Sequence, residues 1–256
     1  MVRGWRAFSE HFAAYRAQYV VIGGTATELA MTEAGLRFRG TKDLDIVLVI
    51  ETLTPEFLAH FWAFIATGGY EWQASDGPRP KRFRFVRATR ADYPYMIELF
   101  SRQPEGLQLP EGAIVTPIPN DGSSLSAILL DDDSYRFVLD GRRYTADGIP
   151  FVGHDRLIPL KATAWRNLTR DRHEGRFVKP EDIHKHAQDV RNLSALLIEG
   201  VTIALPGHVY EELEEFLGAA QGDMARYSTV REVDTAVERI RSAFTRAPEA
   251  SSSPAP

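Results

Sequence analysis

The stretch Arg39-Gly40-Thr41-Lys42-Asp43-Leu44-Asp45-Ile46-Val47-Leu48-Val49-Ile50 decides how this chain is read. From Asp43 to Ile50 it predicts a β-strand. The run from Ile46 to Ile50 is apolar at every position, which marks an interior strand covered on both faces. Residues two apart on a strand project from the same face. Asp43 and Asp45 therefore point together, while Leu44 packs the other way. Two neighbouring carboxylates repel unless a cation sits between them. Magnesium takes hard oxygen ligands and shares them with phosphate, so the pair fits a two-metal phosphoryl-transfer site. It fits equally well the start of an ordinary strand with solvated acids.

Upstream, Tyr19 to Ile22 forms a short apolar strand stopped by Gly23-Gly24, and Thr25 reads as the cap of a helix running to about Ala34. Two glycines permit a sharp turn and close approach to a ligand, and a helix start offers free amides to a phosphate. No Gly-Lys-Ser/Thr follows, so this is not a Walker loop, and the spacing is not a dinucleotide fingerprint. Before it, Phe8, Phe12 and Tyr15 recur at helical spacing and predict a helix over 5–17.

Downstream, Thr54-Pro55-Glu56 opens a helix to about Ala66, with proline in the first turn. Strands are expected at 83–86 and 95–100. The second holds Glu98 within Met96-Ile97-Glu98-Leu99-Phe100. A lone acid in an apolar strand is costly to bury unless paired or metal-bound. It is a third candidate metal ligand, or an edge residue facing water. In Lys81-Arg82-Phe83-Arg84-Phe85-Val86-Arg87, Arg82 and Arg84 share one face and the phenylalanines the other. That arginine face suits a triphosphate or a nucleic-acid backbone, or simply solvent. Residues 101–124 read as a long Pro/Gly/Ser-rich connection. Strands are expected at 125–130 and 135–139, with Asp131-Asp132-Asp133 as a loop start between them.

The pattern changes near residue 153. Residues 1–153 alternate strands and helices, whereas 154–246 predict a helical bundle, with helices at 155–170, 180–197, 208–217 and 229–244. Residues 247–256 contain only Ala, Pro, Ser and Glu and predict a disordered tail. On periodicity alone Lys161 and Asp189 are surface charges, as are His184 and His186, which diverge by about 200° on a helix. The expected fold class is α+β: a mixed sheet with flanking helices and a C-terminal helical bundle.

The 256 residues suffice for a substantial core, and 44% hydrophobic and 25% charged residues are ordinary for a globular chain. A net charge of −5 confines any nucleic-acid contact to a local patch. Without cysteine, disulfides and zinc–thiolate sites are excluded, and a reducing, cytoplasmic location is expected. No apolar run approaches the roughly 18 residues of a membrane span, so no membrane partner is expected. The N-terminus lacks a signal-peptide core.

Together, Val21-Ile22-Gly23-Gly24-Thr25 and Arg39-Gly40-Thr41-Lys42-Asp43-Leu44-Asp45-Ile46 resemble the core of the DNA-polymerase-β-like nucleotidyltransferases. The Arg-x-Thr-Lys-Asp-Leu-Asp form is similar to the AbiEii/AbiGii family, the toxins of type IV toxin–antitoxin systems. Leu157 to Ala162 with Arg166, then Lys179 to His186 and Asp189-Val190, resemble that family's later helical motifs. The resemblance spans about residues 19–195. It implies a polymerase-β-like fold and a catalytic set of Asp43, Asp45, Glu98, Lys161 and Asp189. Asp43, Asp45 and Glu98 would ligate Mg2+ (two ions, with Mn2+ as an alternative). Gly23, Gly24 and Thr25 would hold nucleotide phosphates, helped by Arg39, Lys42, Arg82 and Arg84.

The expected activity is transfer of a nucleoside monophosphate from an NTP to an acceptor hydroxyl, with RNA (the tRNA 3′ end) as the expected acceptor and a cognate antitoxin as partner. Rival readings are transfer to a small molecule or to protein, and a non-catalytic nucleotide-binding regulator. A metal nuclease also uses paired acids but has no need of Gly23-Gly24-Thr25.

Overall fold

Why the chain lays its first strands where it does follows from burial. Tyr19 to Ile22 and Ile46 to Val49 are all buried, at roughly 1.5–3 kcal/mol for each large apolar side chain removed from water. The structure, a computed structural model, describes residues 2–72, 83–106, 108, 115–118 and 126–248. The chain divides into two compact units, Met1–Gly153 and His154–Pro256.

In chain order the first unit comprises α1 (Trp5–His11), β1 (Tyr19–Ile22), α2 (Gly23–Glu33), β2 (Asp43–Leu48), α3 (Pro55–Gly68), β3 (Glu71–Trp72), β4 (Arg84–Val86), β5 (Met96–Ser101), β6 (Val115–Pro117), β7 (Ser126–Leu129), α4 (Asp132–Asp140), β8 (Arg142–Tyr144) and β9 (Pro150–Val152). Among the described residues its strands form one nine-stranded mixed sheet ordered β3-β4-β5-β2-β1-β9-β8, with β7 beside β5 and β6 beside β7. β2 is interior, antiparallel to β1 and parallel to β5. The fold is thus α+β with a mixed sheet.

Alternation sorts the two faces of this sheet. Leu44, Ile97 and Phe85 are register neighbours on one face and all fully buried. α3 lies over that face: Phe61 meets Phe85 edge-on at 5.4 Å between ring centroids. Phe8 of α1 and Phe12 just after it join the same aromatic cluster, which reaches Tyr19 and Phe64. Asp43, Asp45 and Glu98, one residue out of step with Leu44 and Ile97, face the other way. At the rim of the cluster His11 and His60 stack at 3.8 Å, and each imidazole Nε2 contacts the other residue's carbonyl, at 3.0 and 2.7 Å. α3 begins as its sequence dictates, with the Thr54 hydroxyl accepting from the Phe57 amide and Pro55 in the first turn, and ends at Gly69 in left-handed conformation.

Four expectations need correction. Residues 132–140 are a helix and not a strand, because the Asp131 carboxylate accepts the Ser134 amide at 2.8 Å and Asp132 and Asp133 occupy the first turn. The connection at 101–124 contains β6, antiparallel to β7. The N-terminal helix stops at His11 and gives way to a 3₁₀ turn, Ala13–Tyr15. Thr25 does not cap α2, which begins two residues earlier with Ile22 at the cap position and no side-chain cap bond.

The second unit comprises α5 (His154–His173), α6 (Pro180–Ser194), β10 (Ile203–Leu205), α7 (Gly207–Ala219), α8 (Gln221–Met224), α9 (Val230–Ala243) and β11 (Phe244–Arg246). Its core gathers Leu157, Trp165, Val190, Leu193, Leu213, Phe216 and Ile240. β10 and β11 pair in parallel, so Phe244 starts a strand where the sequence suggested the end of a helix. Ala247 and Pro248 are described, and the Ala247 amide donates to the Leu205 carbonyl at 2.8 Å. The remainder of the expected tail lies outside the described residues.

Candidate active site

The site is built from backbone register. Asp45 of β2 stands opposite Glu98 of β5, and Glu98 opposite Arg84 of β4; on the other side Asp45 faces Ile22, the last residue of β1. Asp45, Glu98 and Arg84 thus form a polar row across three strands, with Asp43 two residues before Asp45 on the same face. All four are half-buried. Glu98 does not stand alone. Arg84 Nε donates to Glu98 Oε1 at 2.5 Å and a terminal guanidinium nitrogen reaches the same oxygen. Among the described residues no group of three or more Asp, Glu, His or Cys side chains converges as metal ligands. What the row offers is two aspartates side by side, with the third acid held by an arginine.

The first turn of α2 is seated against β2 and the segment before it by Gly23-Gly24-Thr25. Gly23 turns the chain at φ 65°, and a Cβ there would fall 1.9 Å from Asp45 Oδ2. Only glycine leaves the carboxylate room against the helix start, whose positive dipole end favours an anion. A Cβ on Gly24 would meet Thr41 Oγ1 at 2.8 Å, so this glycine lets the 39–42 segment lie against the helix. Thr25 is fully buried and its hydroxyl donates to the Asp43 carbonyl at 2.9 Å. That bond ties the helix to the metal-candidate strand. Its geometry makes Thr25 a support for Asp43, without exposed surface for a phosphate. Thr27 returns its hydroxyl to the Gly23 carbonyl at 2.8 Å.

Arg39 and Lys42 are exposed. The Arg39 guanidinium lies 5.1 Å from the Phe38 ring centroid, and the Lys42 carbonyl accepts the Tyr95 amide at 3.0 Å, which starts the β2–β5 register. Arg82 lies outside the described residues. The structure therefore brings Asp43, Asp45, Glu98, Arg84 and Gly23-Gly24-Thr25 to one end of one sheet face. Thr41 is the neighbour that sequence reasoning missed, although its place in Arg39-Gly40-Thr41-Lys42 was within the quoted motif.

In the second unit Lys161 of α5 and Asp189 of α6 form an ion pair at 2.8 Å, with side chains 6% and 0% exposed. The expectation of surface charges is overturned. Helical periodicity misplaced them because a buried pair neutralises itself and so occupies a core position that charge alone would forbid. His184 and His186 are likewise half-buried. His184 Nδ1 lies 2.7 Å from Asp223 Oδ1, and the other carboxylate oxygen of Asp223 accepts Trp165 Nε1 at 2.7 Å. That carboxylate anchors α8 to α5 and α6.

Comparisons with protein-family models, with curated proteins and with solved structures found no match for this chain.

Proposed function

We propose that the first unit is a magnesium-dependent nucleotidyltransferase that moves an NMP from an NTP to an acceptor hydroxyl. The observation that carries this reading is the seating of Asp45 against Gly23, which joins two aspartates on one strand face to an uncapped helix start. A divalent cation and a phosphate would then be neighbours. The donor set fits Mg2+: two half-buried carboxylates supply hard oxygens, and the helix start supplies amides to a phosphate that shares the cation. When bound, the ion would neutralise phosphate charge and assist the acceptor hydroxyl. Asp43 and Asp45 would hold it. Gly23 and Gly24 would present backbone amides to the triphosphate, and Thr25 would fix Asp43. Arg39, Lys42 and Arg84 would offset the triphosphate charge, and Glu98 would act as third ligand or proton acceptor once Arg84 engages phosphate.

The sequence resemblance supports RNA, the tRNA 3′ end, as acceptor, and a role as the toxin of a type IV toxin–antitoxin pair. The Lys161–Asp189 pair matches that family's later motifs; its assignment to catalysis rests on the resemblance. The test is incubation of the intact protein with labelled NTPs, Mg2+ and total tRNA. Label transfer that disappears in Asp43→Asn and Asp45→Asn is the expected result, and unchanged transfer in both variants overturns the metal assignment.

A second reading has one observation in its favour. The Arg84–Glu98 ion pair neutralises the third acid of the row, as expected of a nucleotide-binding regulator without turnover. Mg2+-dependent NTP binding with no label on RNA, small molecules or the protein itself would favour it.

A further inference from the structure

Several arginines of the second unit are spent in ion pairs: Arg166 with Glu212 and Glu215, Arg176 with Asp171 and Glu174, Arg241 with Glu214, Arg246 with Glu211. Three are gathered elsewhere. Arg231 and Arg239 of α9 lie eight residues apart on one helical stripe with Thr235 between them, and face Arg191 and Ser194 of α6 across a groove of about 340 Å³. Neither Arg231 nor Arg239 makes an ion pair among the described residues. Arg191 gives one terminal nitrogen to Asn192 Oδ1 at 2.8 Å, while its Nε is shut off from solvent without an acceptor.

A buried N–H without a partner is unfavourable, and three guanidiniums around one groove repel one another unless an anion joins them. The single carboxylate in the lining, Glu232, attracts Arg191 but is bonded to the start of α9. It accepts the Thr229 amide at 2.7 Å and the Thr229 hydroxyl at 2.9 Å as the capping box of α9. Three cations against one anion leave a local positive charge on a chain whose net charge is −5. Beyond Arg239 the adjoining hollow carries Glu199 and Glu238, which confines the positive stretch to the Arg191–Arg231–Arg239 end. Its length along α9 is about 12 Å, room for one or two phosphoryl groups. Guanidinium forks match phosphate oxygens bidentately, and they are the donors here, since the Thr235 and Ser194 hydroxyls already donate to the Arg231 and Arg191 carbonyls at 2.8 and 2.7 Å.

We infer that this groove between α6 and α9 is a phosphate-binding site, for phosphoryl groups of a polynucleotide backbone or for free phosphate. It is independent of whether the first unit transfers nucleotides. The test titrates the intact protein with inorganic phosphate by calorimetry and with a fluorescein-labelled single-stranded oligoribonucleotide by anisotropy over a range of salt. The variants are Arg231→Gln/Arg239→Gln, both positions being exposed so that no core packing is lost, and a control of equal charge change, Arg170→Gln/Arg172→Gln, on α5.

The expected result is binding by wild type and control and at least a tenfold loss in the groove variant. If the oligoribonucleotide is the ligand, its log K against log salt slope should fall by about 1.4 for two lost contacts. Binding of the oligoribonucleotide that inorganic phosphate does not displace supports a polynucleotide ligand, and phosphate that binds, with or without displacing the oligoribonucleotide, supports a site open to free phosphate. Equal loss in groove variant and control, or no binding by wild type of either probe, overturns the site.

Discussion

Gly23 shows how one residue carries two constraints. Its φ of 65° favours glycine for the turn, and its missing Cβ is the space that Asp45 Oδ2 fills. Gly23→Ala should therefore lower stability by about 1–3 kcal/mol in urea unfolding and also abolish Mg2+-dependent NTP binding, because Asp45 must move. Gly24→Ala should be milder, since the Cβ would meet the end of a rotatable threonine side chain. The turn was legible in the sequence because Gly-Gly after an apolar strand has few other uses. The seating of Asp45 was not, because it depends on strand pairing between distant segments. A second residue-scale prediction concerns His11. Burial disfavours its imidazolium and holds its pKa below the ordinary 6.5, against the partial help of the His60 carbonyl. The neutral form is favoured by folding, so this contribution is present above the unfolded pKa near 6.5 and is lost as pH falls below it. Urea midpoints should decline as pH falls from 7 to 5, with a shallower decline in His11→Gln. An NMR titration placing His11 at or above 6.5 would refute the assignment.

At the scale of elements, what sequence revealed is what a single period determines. Asp43-Leu44-Asp45 and Met96-Ile97-Glu98 alternate unambiguously, so their faces were readable before their partners were. Tyr135-Arg136-Phe137-Val138-Leu139 satisfies both a strand period and a helix period, and the decision falls to the Asp131 cap just outside it. β10 and β11 span three residues each and join segments far apart in sequence, so neither carries a local signal strong enough to predict. The capping box of α9 gives an element-scale test. Thr229→Ala removes the hydroxyl that accepts the Glu232 amide and should cost about 1 kcal/mol in thermal unfolding. It removes only one of the two donors that hold the Glu232 carboxylate below its usual pKa, because the amide of residue 229, the larger influence, remains.

At the scale of the molecule, two compact units each carry charges in places that composition could not foretell. Lys161 and Asp189 sit in the interior of the second unit, and removing one partner strands the other. Lys161→Met alone should destabilise by about 3–5 kcal/mol, whereas Lys161→Met/Asp189→Leu should recover most of that loss in chemical unfolding. A recovered fold without nucleotide transfer would assign the pair to chemistry, and recovered transfer would assign it to architecture alone. The row of Asp45, Glu98 and Arg84 has a further consequence for how such a chain can change over time. Its spacing is fixed by ladder hydrogen bonds between β2, β5 and β4, not by the segments that join them. Parts of the joining segments are tied down as well: α3, between β2 and β3, packs Phe61 on Phe85, and Tyr93, between β4 and β5, packs on Phe64. Changes of length are therefore expected to be tolerated in exposed turns between these strands before any change that moves Asp45, Glu98 or Arg84 out of register.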